Sequence, residues 1–219
     1  LLDRTICSSA GGEALASTYG GKVGMHLEFF AESRLILIWG SNSITSNLHF
    51  WTFAQQAKRN GAKLISIDPR KTETAAQFEW LGIRPDGDAL LLLSLLQVMF
   101  EERLVDRRAL GRQADGIDWL ARRCVQFTPE STEAETGIPA ETVRALARDL
   151  VRTPRATVYG RLGTCAGRSG TLTTYLIDAV NLAAGNLDVP GGAVFGNLGI
   201  PGNHVAVNTA EFGRRRRAK

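Results

Sequence analysis

Two short apolar runs constrain this chain more than anything else in it. Each ends in small or polar residues, and each is followed by a longer stretch. Leu35, Ile36, Leu37 and Ile38 lead into Trp39, Gly40, Ser41 and Asn42. A helical stretch over 45–60 follows, with Gly61 as its stop. The second run, 63–67, ends at Asp68, Pro69 and Arg70, and a turn at Pro85, Asp86, Gly87 and Asp88 closes the unit. Apolar strands alternating with longer amphipathic segments predict a parallel sheet with crossover helices. The fold class is α/β, a Rossmann-like parallel sheet with helices on both faces in three layers. In such sheets ligands sit beyond the carboxyl ends of the strands, where small residues let them approach the backbone.

The remaining pattern fits that class. Core strands are expected at 34–39, 63–67 and 155–160. Helices are expected over 88–103, 115–126, 139–152 and 171–184, with Asp88 as a cap of the first and Pro139 in a first turn. Thr72 caps a short helix over 73–79. Residues 8–24 are small and Gly-rich, suited to tight turns or close approach to a ligand. From Gly191 onward Gly, Pro and Asn read as loop. No internal repeat or linker is visible, so residues 1–219 form a single α/β unit.

Composition excludes several classes. The net charge of +4 owes much to the end of the chain: without Arg214 to Arg217 and Lys219, 21 basic residues face 22 acidic ones. The basic balance therefore gives no reason to expect nucleic acid. Three cysteines are too few and too scattered for a disulfide scaffold or a zinc site. They suit a reducing compartment, and with no targeting signal visible the expected location is cytoplasmic. No apolar run reaches the ~18 residues of a membrane helix. The chain begins with Leu rather than Met, which reads as an internal piece of a longer protein.

Several groups could carry chemistry, each with a plainer alternative. Cys7 precedes Ser, Ser, Ala, Gly and Gly, whose amides suit a thiolate; it could equally be an inert small hydrophobe. Gly40, Ser41, Asn42, Ser43, Thr45 and Ser46 stand at a predicted helix N-terminus, a place for pyrophosphate, or form an ordinary turn. Asp68 suits ribose hydroxyls, and Arg70 or Lys71 suits phosphate; the alternative is a surface salt bridge. Asp88 could accept from the N1–H and N2–H edge of guanine or cap a helix. Arg161 and Arg168 flank small residues after the strand at 155–160. Cys165 reads as a packed side chain. His26, His49 and His204 are too dispersed for a metal set, and His49, between Leu48 and Phe50, reads as a structural histidine.

WGSN at 39–42, IDPRKT at 67–72 and the Pro-x-x-Asp turn at 85–88 come in order. With RLGT at 161–164 and GNLDVPGG at 185–192 they resemble the molybdopterin oxidoreductases of the dimethyl-sulfoxide-reductase superfamily. The likeness is to its formate-dehydrogenase and nitrate-reductase side and runs from Cys7 to Gly192. It implies a molybdenum-dependent oxidoreductase in which the metal, molybdenum or tungsten, lies between two molybdopterin guanine dinucleotides. It implies Cys7 as metal ligand and catalytic residue; a soft thiolate suits such a centre. It implies cofactor contacts at Trp39, Gly40, Ser41, Asn42 and Ser46, and at Asp68, Pro69, Arg70, Lys71 and Thr72. Further contacts fall at Asp86, Gly87 and Asp88, and at Leu162 and Gly163. The usual turn is Pro-Gly-Thr-Asp, and here Asp86 and Gly87 stand in its middle. Relatives often carry an N-terminal cysteine cluster for iron–sulfur and a C-terminal β-rich domain. The expected partners are therefore a small-molecule substrate and either missing domains or an electron-transfer protein, with an iron–sulfur cluster upstream in some branches. No nucleic acid and no membrane span are expected, and the isolated segment would be inactive. The alternatives are a nucleotide-binding module without redox chemistry and a non-catalytic remnant of such an enzyme.

Overall fold

The computed structural model describes Cys7, residues 9–20 and residues 25–193. Its helices and strands, in order, are α1 (Ser9–Tyr19), β1 (Leu35–Trp39), α2 (Ser43–Ser46), α3 (Leu48–Arg59), β2 (Lys63–Ile67), β3 (Glu79–Leu81), α4 (Asp88–Glu101), α5 (Arg107–Gly111), α6 (Ile117–Cys124), α7 (Pro129–Thr136), α8 (Ala140–Arg152), β4 (Ala156–Gly160), α9 (Leu162–Cys165) and α10 (Gly170–Ala183). Short 3-10 turns occupy Leu27–Glu32 and Ala75–Gln77. Among the described residues no helix is long and apolar enough to cross a membrane.

The four strands are parallel, in the order β3-β2-β1-β4. Every residue of β1 is buried, as a strand covered on both faces requires. Alternation splits its side chains. Leu35, Leu37 and Trp39 join Ile65, Ile67, Ala156 and Val158 in a core closed by α4, α6, α8 and α10. Ile36 and Ile38 face the other way and pack with Leu64, Tyr159, Phe30, Phe50, Ala54 and Ala57. This is the expected three-layer α/β arrangement. The chain steps from β1 to β2 to β3 and then returns to the far side of β1, so the order reverses between β1 and β4. Ligand crevices open at such a reversal.

Several expectations need correction. The segment 8–24 holds a helix, α1, because Gly11, Gly12 and Ala14 are buried against α10. A Cβ at Gly11 would stand 3.0 Å from Cys165 Sγ, so small residues allow that packing. The helix over 45–60 is broken at Asn47, whose φ of −153° leaves the helical region. Its side chain accepts from Phe50 N at 3.4 Å and donates to Tyr159 Oη at 2.8 Å, which starts α3 afresh. In place of a helix over 73–79 there is one 3-10 turn and then the edge strand β3. Thr74, not Thr72, is the N-cap residue of that turn, although Thr72 Oγ1 accepts from Ala75 N at 3.1 Å. Finally, Gly87 rather than Asp88 is the N-cap residue of α4, and no side chain caps it; α5 and α7 fill segments to which the sequence assigns no element.

The α1–α10 contact buries a carboxyl. Asp178 hydrogen-bonds Tyr19, and burial pushes its pKa up to about 6 despite that bond. Burial also drives the Tyr19 hydroxyl well above its ordinary value. The fold therefore prefers neutral Asp178. Its contribution to stability is complete below about pH 4, the unfolded range, and is lost as pH rises through the folded value near 6. Asp178→Asn should therefore stabilise the protein by about 2–3 kcal/mol at pH 8, from a shift of about two units, and change little at pH 4. Denaturant melts at the two pH values read the difference.

Candidate functional site

All four strands end at one edge, and their loops touch there. The loops after β1 and β4 cross in backbone contact. Gly40 has φ of 58°, and its amide donates to Ile67 O at 2.9 Å while its carbonyl accepts from Gly163 N at 2.9 Å. A Cβ on Gly163 would stand 2.7 Å from Gly40 Cα, and one on Gly40 2.8 Å from Gly163 Cα. Neither position has room for a side chain, and Gly40 needs the left-handed backbone as well. Arg161 N donates to Trp39 O at 3.0 Å in the same crossing.

The loop after β1 is tied to the loop after β2. Asn42 Oδ1 accepts from Thr74 N at 3.2 Å and Thr74 Oγ1 at 3.0 Å, and Asn42 Nδ2 donates to Glu73 Oε2 at 2.7 Å. Ile44 N donates to Thr74 Oγ1 at 3.1 Å. Asn42 thus spends its side chain on bracing. Ser41 is buried and shares a 2.8 Å hydrogen bond with Ser43. Ser46 Oγ donates to Asn42 O at 3.0 Å. The expectation of a long helix aiming its N-terminus at a phosphate from this loop is not met, because α2 is one turn long and its dipole is correspondingly small.

In the loop after β2, Asp68 Oδ1 accepts from Arg70 N at 2.9 Å. Pro69, Arg70 and Lys71 are exposed and Thr72 is buried. Trp80, on β3, donates from Nε1 to Asp68 O at 2.9 Å, and Lys71 Nζ lies 5.9 Å from its ring centre. Thr74 and Trp80 are site-forming residues that sequence reasoning missed. Their partners lie 32 and 12 residues away, so no local pattern marks them.

The turn before α4 takes an unexpected form. Asp86 carries the positive φ, 63°, while Gly87 stays at −77°. Asp tolerates that region better than most residues. Gly87 is needed for space, since a Cβ would come 3.1 Å from Arg84 O. Asp86 is exposed, and its Oδ1 accepts from Arg168 N at 3.2 Å, linking the β3 loop to the β4 loop. Asp88 is half-buried and accepts from Trp39 Nε1 at 2.6 Å. Trp39 has no exposed surface, so its ring meets a ligand only through Asp88. Burial is the main cause raising the Asp88 pKa, with Asp86 and Asp68 adding repulsion. Asn42, Asp68 and Asp88 therefore share one edge. Arg161, Leu162, Gly163 and Arg168 are exposed beside them.

Cys7 is exposed and stands just upstream of α1. The first turn of α1 packs on Cys165 of α9. Cys165 is partly buried, with Sγ 3.6 Å from Thr174 Oγ1, the packed side chain expected. Cys124 is buried, its thiol pushed up to about 12 by burial. His49 is exposed on α3 rather than packed, and His204 lies outside the described residues. Among the described residues no three His, Cys, Asp or Glu are placed to hold a metal ion.

A family model for molybdopterin oxidoreductases matches residues 6–217. The probable oxidoreductase YoaE of Bacillus subtilis is 31% identical, over 91% of this chain and 30% of its own length. Dimethyl sulfoxide reductase DmsA of Haemophilus influenzae is 30% identical, over 80% of this chain and 25% of its own. Formate dehydrogenase H of Escherichia coli is 29% identical, over 71% of this chain and 22% of its own. The chain thus spans less than a third of these relatives. In structure it is similar to acetylene hydratase from Pelobacter acetylenicus, with a TM-score of 0.74 and 23% identity, over 85% of this chain and 25% of that one; this likeness speaks to fold alone.

The glycine crossing sets a stability test. Gly163→Ala must push two backbones apart and should cost about 3 kcal/mol or more, a fall of roughly 6–12 °C in Tm for a domain of this size. Gly111→Ala, where an added Cβ meets nothing within 4 Å, should leave Tm within about 2 °C.

Proposed function

The chain belongs to the molybdopterin oxidoreductase family, and from that premise we propose that it forms the part of a molybdenum-dependent oxidoreductase that binds a molybdopterin guanine dinucleotide. The observation that carries this reading is the single edge on which all four loops meet. Its loops carry exposed cations, Arg70 and Lys71 after β2 and Arg161 and Arg168 after β4, and a half-buried carboxylate, Asp88. A dinucleotide needs both: positive charge for its phosphates and an acceptor pair for the base. When bound, the metal–pterin group supplies the two-electron redox chemistry. The chain's own residues bind and orient it.

In this reading Arg70 and Lys71 meet phosphate, and Asp68 takes ribose hydroxyls. Asp88 accepts the N1–H and N2–H edge of guanine, which adenine does not present. Gly40 and Gly163, packed backbone to backbone, close the floor of the site at the strand-order reversal. Cys7 supplies a thiolate to the metal. Substrate, electron-transfer partner and any iron–sulfur cluster are assigned to parts of the protein outside this chain. A nucleotide-binding module without redox chemistry would use the same phosphate and base contacts; it differs in having no use for Cys7.

Two variants of the full-length protein test these roles. Asp88→Asn keeps the shape but turns a donor toward a donor edge. An unsatisfied buried group costs about 1–3 kcal/mol, so guanine-dinucleotide retention should fall roughly ten- to hundredfold. Unchanged nucleotide content after gel filtration would remove Asp88 from the site. Cys7→Ala should keep the dinucleotides, lose one sulfur from the metal's coordination shell and abolish turnover. X-ray absorption at the metal edge counts the sulfurs. An equal count in variant and wild type would make Cys7 structural.

A further inference from the structure

We infer that Trp39 is a positioning residue for base selection: its indole N–H fixes the Asp88 carboxylate so that two acceptor sites face outward to read a guanine edge. The inference rests on the guanine-binding reading of Asp88 and deepens it. Trp39 ends the central strand β1 and is wholly buried, so it cannot touch a ligand at the edge. Its Nε1 nevertheless reaches across 49 residues of sequence to Asp88 Oδ1 at 2.6 Å. A hydrogen bond to an ionised carboxylate is stronger than one between neutral groups.

The acceptor count gives the bond its meaning. An ionised carboxylate has about four acceptor sites. Asp88 uses one on Trp39 Nε1–H, and its own backbone N–H takes a second. Two remain, the number that the N1–H and N2–H edge of guanine requires. A free aspartate side chain at the start of a helix turns about χ1 and caps its own first turn. With Oδ1 pinned by the N–H of a wholly buried ring, the carboxylate is confined to one orientation.

The bond also favours the charged form. Burial disfavours ionised Asp88, and Asp68 and Asp86 add like charge, while the Trp39 bond and the backbone N–H oppose them. Only the ionised form offers acceptors alone; a protonated carboxyl would present a donor to a donor edge. Without the indole N–H the same carboxylate would be harder to ionise and free to turn. Trp39 thus acts through Asp88 on which base is accepted.

The test compares GMP with IMP, which lacks only the N2 amine, on the full-length protein freed of cofactor. Two replacements remove the donor. Trp39→Phe is the simple one. Substitution of 3-benzothienylalanine at position 39, with sulfur in place of N–H, keeps the ring's size and guards against a failure to fold. The wild type should prefer GMP by about tenfold, one good hydrogen bond's worth. Both replacements should cut that preference to less than about threefold and leave IMP affinity within about twofold. In parallel, isotope-edited infrared follows the Asp88 carboxyl with pH, and its midpoint should rise in both replacements. A wild type that binds GMP and IMP equally would overturn the guanine reading itself. The carboxyl midpoint would then decide the Trp39–Asp88 linkage alone. Unchanged GMP preference, or an unmoved carboxyl midpoint, would overturn the positioning role.

Discussion

The backbone crossing of Gly40 and Gly163 is the contact on which the rest of this edge depends. It sits between β1 and β4, where the strand order reverses. A crevice at such a point is open by default; here it is closed at its floor by two glycines whose Cα atoms leave no room for side chains. Gly40 bonds to β2 on one side and to the β4 loop on the other, so it ties three strand ends together. The second tier hangs from that floor. Asn42, two residues beyond Gly40, braces Glu73 and Thr74. Trp39, one residue before it, holds Asp88. Asp86 closes the ring by accepting from Arg168 N. A ligand at this edge meets a surface set by backbone geometry and a few buried polar bonds.

How much of this was legible in the sequence follows from the range of each signal. The strands β1, β2 and β4 were visible because a strand buried on both faces must be a continuous apolar run. Alternation also puts Trp39 on the face of Leu35 and Leu37, so its burial was within reach of the pattern, although the resemblance cast it as a cofactor contact. The helix α1 was not visible. Its Gly and Ala residues favour loop in isolation, and only the surface of α10 makes their smallness an asset. The edge strand β3 exposes Glu79 and Trp80, so no apolar pattern marks it. For α7, Thr128 and Pro129 did spell a cap and a first turn, a signal the reading passed over. The Asn42–Thr74 and Trp39–Asp88 bonds join residues far apart in sequence, and no periodicity encodes them.

The charges at the edge point toward the kind of ligand that fits. Three carboxylates, Asp68, Asp86 and Asp88, stand near enough for repulsion to act on Asp88, while the loops after β2 and β4 also carry the exposed cations Arg70, Lys71, Arg161 and Arg168. Such a mixture suits a long polar molecule with separate anionic and hydrogen-bond-donating parts better than a simple anion. Family membership points to a molecule of that kind, a metal–pterin group. The half-exposed Asp88, held from beneath by a buried ring, is where the physical argument for guanine is strongest.

The central claim is that this edge holds a guanine-dinucleotide form of the metal–pterin group. The most direct measurement is the nucleotide-to-metal ratio of the wild-type full-length protein, with nucleotides released by acid hydrolysis and metal counted by mass spectrometry. The account predicts GMP as the released nucleotide, about two per molybdenum or tungsten atom, as the family resemblance implies. Metal-free protein, or metal with no GMP, would contradict it.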